Sequence, residues 1–152
     1  MNKKHRNKRD NRLAALALLT KIYQNPKTTE DISAGLPIIG EKLDRDLFIR
    51  AAQNAGLKAS IQTRSLESIP SSTLPVALEL QENQICLLME IEQHVAKVIF
   101  PGNDETEQSI NRADLEKEYS GFCFLIKLGM RQSISLRFIK LALILHHLIW
   151  IR

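Results

Sequence analysis

Residues 34–59, AGLPIIGEKLDRDLFIRAAQNAGLKA, contain a helical pattern that gives way to a strand pattern. Before Gly56, the apolar residues recur at helical spacing, and Asp44 is placed to cap that helix. After Gly56, the sequence LKASIQTR alternates apolar and polar residues, which is typical of a half-buried strand. The stretch therefore predicts a capped helix that ends at a glycine and leads directly into a sheet.

Two further helices are predicted before this stretch. Asp10 or Asn11 can cap a helix that runs to about Gln24. Thr28 or Thr29 can cap a second, short helix, which the sequence GLP ends. The first part of the chain is thus predicted to be helical.

Strand patterns dominate the part of the chain after the stretch. The runs VALELQ, ICLLMEIE and AKVIF follow one another with only short links, which predicts an antiparallel meander. A short capped helix, SINRADLEKEYSG, and a last strand, FCFLIKL, complete the pattern. Helices followed by strands predict an α+β domain in which N-terminal helices pack on an antiparallel sheet.

Charge is distributed unevenly along the 152 residues. The formal net charge is +4, but residues 1–12 hold six Lys or Arg and one Asp, and residues 128–152 hold four Lys or Arg and no acid. The centre, residues 13–127, carries a net charge of −5.

Two helices joined by a turn are also compatible with a DNA-binding regulator. However, the candidate recognition helix begins DRD, which places acid where DNA phosphates would lie.

Neither a metal site nor a bound cofactor is predicted. Cys86 and Cys123 lie in apolar runs without CxxC spacing, which predicts buried thiols rather than a zinc site or a disulfide. His146 and His147 are adjacent, so their rings point to different faces of a helix. The sequence also lacks the GxxxxGK[ST] motif that cradles nucleotide phosphates.

The order of these motifs resembles one family. The signature AGLP(x)nGxL(x)3LFxRAAxxAGLxA matches residues 34–59 and is followed by RSLESIPSSTLPVALEL, NQICLLMEI, KVIFP and ADLEKEYSGFCFLIK. Over roughly residues 10–127, the chain is similar to the peptidase-like N-terminal domain of type I secretion ABC transporters. The resemblance implies the papain-like fold of the cysteine peptidases that process bacteriocins at a double glycine.

The resemblance also implies where catalytic residues would stand. Active members need a cysteine nucleophile near the start of the first helix, a histidine that activates it and an aspartate that orients the histidine. Those positions fall on Arg12 or Leu13 for the cysteine, on Ile85 or, within a residue, Gln84 or Cys86 for the histidine, and on Pro101 for the aspartate. None of these residues can perform the required step, so the resemblance implies a degenerate domain without peptidase activity. An active cysteine peptidase that cleaves double-glycine leaders stays the alternative.

A papain-like scaffold without its nucleophile retains a cleft shaped for an extended chain. The implied function is recognition of an unfolded secreted polypeptide, at the cytoplasmic side of the bacterial inner membrane. The implied partners are the transmembrane and nucleotide-binding parts of an ABC exporter, and nucleic acid is not among them. The aromatic candidates for polypeptide contact are Tyr23, Phe48, Tyr119 and Phe122.

The two ends of the chain depart from the globular pattern. Residues 1–9 are predicted to be a basic disordered tail, residues 10–127 the domain, and residues 128–152 a basic apolar tail that can form a helix. The apolar part of that tail, FIKLALILHHLIWI, is shorter than the roughly 20 residues of a bilayer span. An interfacial helix, a docking segment and the remnant of a truncated transporter gene are the interpretations that stay open.

Overall fold

The computed structural model describes residues 11–38, 43–102 and 105–129. The predictions for residues 1–9 and for nearly all of residues 128–152 lie outside these ranges. Within them, the described chain forms four α-helices, six strands and three short 3₁₀ turns. The helices are α1 (Arg12–Ile22), α2 (Thr29–Ser33), α3 (Arg45–Asn54) and α4 (Arg112–Glu118).

The predicted caps begin α2 and α3. The Thr28 hydroxyl accepts from the backbone N–H of Asp31, and the Asp31 carboxylate accepts from the N–H of Thr28. The Asp44 carboxylate accepts from the N–H of Leu47 at the start of α3. Gly56 then adopts a φ of 75°, which permits the sharp change from α3 into the sheet. The capping predictions for both helices are confirmed.

Replacement of Thr28 by Ala is expected to lower the free energy of unfolding by about 1 kcal/mol. The reason is that the substitution removes one half of the capping box and leaves the Asp31 N–H without its acceptor. Urea unfolding followed by circular dichroism measures the loss. A loss below about 0.3 kcal/mol would show that the cap does not stabilise α2.

The strands form one antiparallel sheet in the order β1-β6-β2-β3-β4-β5. Their bounds are β1 (Leu57–Thr63), β2 (Val76–Leu80), β3 (Ile85–Ile91), β4 (Val95–Ile99), β5 (Gln108–Asn111) and β6 (Tyr119–Leu128). The predicted meander of β2, β3 and β4 is confirmed, and so is the α+β class with helices and an antiparallel sheet. The last strand, β6, inserts between β1 and β2.

Each face of the sheet buries its own apolar cluster, because layers cover both sides of its centre. On one face, α1 and α3 pack on a cluster that includes Ala77, Leu87 and Phe124. On the other face, α4 and the 3₁₀ turns pack on a cluster that includes Leu78 and Cys123. Strand β2 lies at the centre and all five of its residues are buried.

Two features differ from the pattern read in the sequence. Residues 108–111, QSIN, form the edge strand β5 rather than the beginning of a helix. The sequence pattern does not indicate this strand, because three of its four residues are exposed and polar and no apolar alternation results. In addition, α1 begins at Arg12 without a side-chain cap, because the Asn11 side chain bonds elsewhere. Among the described residues, no helix is both long and apolar enough to span a membrane.

Candidate functional site

The start of α1, the start of β3 and the end of β4 meet at one side chain, Asn11. Its Oδ1 accepts from the backbone N–H of Ile85 at 2.8 Å, and its Nδ2 donates to the Ile85 carbonyl at 2.7 Å. Nδ2 also lies 3.5 Å from the carbonyl of Pro101. Ile85 and Pro101 were two of the predicted catalytic positions. The structure therefore brings these positions together, around the residue one place before the predicted Arg12 or Leu13.

Arg12 points away from this junction and is buried. Its guanidinium donates to the carbonyl of Leu43, just before α3, and its Nη2 lies 3.4 Å from Oε2 of Glu79. Leu13 packs against the apolar cluster beneath the helices. The two residues predicted for the nucleophile position thus connect α1 to the rest of the core.

Glu79 is the acidic centre of a buried ion cluster. Its side chain is only 6% exposed, although it lies in the apolar run VALEL of β2. Arg45 binds it with two parallel hydrogen bonds, Nε to Oε2 at 3.0 Å and Nη2 to Oε1 at 2.9 Å. These hydrogen bonds raise the pKa of Arg45. Because Arg12 is bound to it as well, the carboxylate of Glu79 contacts two cations, which offsets the cost of burying it.

Phe122 extends the cluster towards the surface. The guanidinium carbon of Arg45 lies 3.7 Å from the centre of the Phe122 ring, a distance at which a cation is attracted to the ring face. Both side chains are half-buried. Phe122, one of the predicted contact residues, therefore lies at the rim of the ion cluster.

The other predicted aromatic residues lie apart from one another. Tyr23 is half-buried and donates to the carbonyl of Ile126 at 3.1 Å, and burial raises its pKa. Tyr119 is also half-buried and donates to the carbonyl of Arg64 at 2.8 Å. Phe48 is fully buried and packs on Phe124, with ring centroids 4.3 Å apart. Phe48 exposes no surface to a polypeptide, whereas contact by Tyr23, Tyr119 and Phe122 stays a prediction.

The two cysteines lie in the core and away from His94, so they do not form the cysteine–histidine pair that a cysteine peptidase needs. Cys86 and Cys123 are both fully buried and flank Leu78 of β2 in the sheet. Desolvation raises the pKa of Cys123, which disfavours the reactive thiolate. His94 lies in the link after β3, at the opposite end of that strand from Cys86. A strand of this length separates them by roughly 20 Å.

Both thiols are expected to resist a thiol-reactive dye in the folded protein, because burial excludes the reagent and suppresses the thiolate. The measurement is the release of thionitrobenzoate from Ellman's reagent, before and after addition of denaturant. Both cysteines should react after unfolding and neither beforehand. One equivalent of fast reaction in the native state would contradict the prediction.

Within the described ranges, no group of three or more His, Cys, Asp or Glu side chains is arranged to hold a metal ion. The site therefore consists of the Asn11 junction and the adjacent ion cluster of Arg12, Glu79 and Arg45. The Asn11 amide and the Arg12 guanidinium bind backbone groups, and both arginines bind the Glu79 carboxylate.

One solved structure shows to which family the chain belongs. The N-terminal peptidase C39-like domain of the toxin secretion ATP-binding protein from Vibrio parahaemolyticus is 33% identical to the chain, with a TM-score of 0.75. The match covers 79% of this chain and 98% of that domain. The chain belongs to the peptidase C39-like domains of ABC transporters. No protein-family model and no curated protein sequence matches it.

More distant C39 domains share the fold. A double-glycine protease from an AMS/PCAT transporter, solved with a leader peptide, is 16% identical with a TM-score of 0.66 and covers 84% of this chain and 90% of its own. The peptidase domain of Streptococcus ComA is 11% identical with a TM-score of 0.66, covering 80% of this chain and 93% of its own. At these identities the likeness supports the papain-like fold of this peptidase C39-like domain.

Proposed function

We propose that this C39-like domain is a non-catalytic, polypeptide-binding domain of a type I secretion ABC exporter. It acts at the cytoplasmic face of the bacterial inner membrane and recognises an unfolded secreted polypeptide. The observation that carries the proposal is the Asn11 junction, where a carboxamide bonds to the backbone at two of the predicted catalytic positions, Ile85 and Pro101.

The chemistry at the junction supports the absence of catalysis. Acyl transfer by a cysteine peptidase needs a thiolate, a base within hydrogen-bonding distance and a group that orients the base. The carboxamide of Asn11 is not nucleophilic, and its oxygen and nitrogen already bind the peptide groups of β3. Neither Ile85 nor Pro101 carries a side chain that can accept a proton.

The scaffold supports the binding role. A related protease of this fold has been solved with a leader peptide, so the architecture can accommodate an extended chain. When a fold keeps its architecture and lacks the reacting groups, binding is the activity that remains available to it. The exporter context is supported by relatives of the same fold that are domains of transporters.

The catalytic part is tested with a synthetic leader peptide that ends in a double glycine and continues beyond it. The full chain is incubated with the peptide, and the mixture is analysed by mass spectrometry. We expect no cleavage beyond that in buffer alone. A Cys86→Ser and Cys123→Ser double variant is the matched control, because any cysteine chemistry must use one of these thiols. Cleavage by the unmodified chain that disappears in the double variant would establish the active peptidase instead.

A further inference from the structure

The outer face of β1 and the adjoining part of β6 carries exposed polar side chains. Elsewhere on that face, Leu66, Ile69 and Leu115 of the overlying segments cover the central strands. Over β1, the side chains on this face alternate with the helix-facing Leu57 and Ala59. They are Lys58 and Ser60, both exposed, and the half-buried Gln62.

Two lysines stand directly opposite each other on this face. Lys58 of β1 pairs in register with Lys127 of β6, and both are exposed. Directly paired residues have Cβ atoms about 5 Å apart, so the two ammonium groups repel each other. Other lysines of the described chain, such as Lys21, Lys97 and Lys117, bind a carboxylate. Neither Lys58 nor Lys127 has an ion pair with an acidic residue among the described residues.

We infer that the outer face of β1 and β6 is a docking surface for an extended, acidic segment of polypeptide. A carboxylate placed between Lys58 and Lys127 would turn their repulsion into two attractions. The inference rests on the proposed polypeptide-binding function and gives it a location and a preferred chemistry, separate from the Asn11 junction.

The geometry favours a polypeptide over other anions. Strand β1 is an edge of the described sheet and has a strand neighbour, β6, on one side only. Its other edge presents backbone N–H and C=O groups with which an extended chain can pair, as in β-strand addition. Leu125, half-buried on the same face and paired with Ser60, adds an apolar contact beside the two lysines. A simple anion would use only the lysines.

The test uses the full chain and a fluorescein-labelled peptide that alternates Glu with Thr and is long enough to span β1. Its affinity is measured by fluorescence anisotropy for the unmodified chain and for a Lys58→Gln and Lys127→Gln double variant. The matched control is a Lys21→Gln and Lys117→Gln double variant. This control removes the same formal charge from two exposed lysines on α1 and α4. Urea unfolding of each variant checks that it is folded.

We expect the Lys58 and Lys127 variant to bind the peptide about tenfold more weakly, which corresponds to about 1.4 kcal/mol. Added salt should weaken binding to the unmodified chain more steeply than binding to this variant. The urea midpoint of the variant should stay the same or rise, because two opposed like charges have been removed. The control should bind within about twofold of the unmodified chain.

Three results would overturn the inference. They are no binding of the acidic peptide, equal binding by the double variant, and equal loss in the control. A peptide with Gln in place of Glu separates this inference from the proposed function. Binding of that peptide with equal affinity would retain polypeptide recognition and reject the acidic preference. Stronger Lys58- and Lys127-dependent binding of single-stranded DNA or of phosphatidylserine vesicles would assign the surface to another class of partner.

Discussion

Replacement of Glu79 by Gln is expected to lower the free energy of unfolding by about 3–5 kcal/mol, because it removes the carboxylate charge that two arginines, one of them buried, bind. The buried arginine is Arg12, whose side chain is only 5% exposed. Gln is nearly isosteric with Glu, so the loss reports the charge rather than a cavity. Arg45 is less affected, since its side chain is 41% exposed and water can solvate it.

Urea unfolding with and without the substitution measures this effect. Glu90→Gln is the matched control, because Glu90 forms an ion pair with Lys97 on the surface, where the expected loss is below about 1 kcal/mol. A loss below about 1 kcal/mol for Glu79→Gln would contradict the role of Glu79 as the acidic centre of a buried ion cluster.

Replacement of Asn11 by Ala is expected to lower the free energy of unfolding by about 1–3 kcal/mol. The substitution leaves the N–H and C=O of the buried Ile85 without the partners that the Asn11 amide provides. These hydrogen bonds connect residues 74 positions apart, so the substitution weakens the contact between the start of α1 and β3. Hydrogen exchange should show faster exchange of the Ile85 amide in the variant.

Gln53→Ala is the matched control for Asn11→Ala. Gln53 is an exposed amide on α3, and its replacement should change stability by less than about 0.5 kcal/mol. Equal effects of the two substitutions, or an unchanged Ile85 exchange rate, would contradict the role of Asn11 as the bond between the start of α1 and the sheet.

The sequence predicts local structure well where short-range chemistry determines it. The caps at Thr28 and Asp44 and the glycine at position 56 all act within a few residues, and each was found where expected. Strand β5 was missed because an exposed edge strand has no apolar alternation to detect. The insertion of β6 between β1 and β2 depends on long-range pairing, which no local pattern contains.

The site was predicted in part. The convergence of the α1 start with Ile85 and Pro101 agrees with the family resemblance, although the side chain at the junction is Asn11, one residue earlier than expected. The ion cluster was missed, because its members are distant in sequence. One signal was available: Glu79 is a charged residue inside the apolar run VALEL, and such a residue is rarely buried without a partner.

The most direct test of the proposed function is a titration of the full chain with a labelled exported polypeptide in an unfolded and in a folded form. We expect saturable binding of the unfolded form, recovery of that polypeptide intact, and markedly weaker binding once it has folded. Equal affinity for the two forms, or cleavage of the bound polypeptide, would contradict the claim that this C39-like domain is a non-catalytic receptor for unfolded chains.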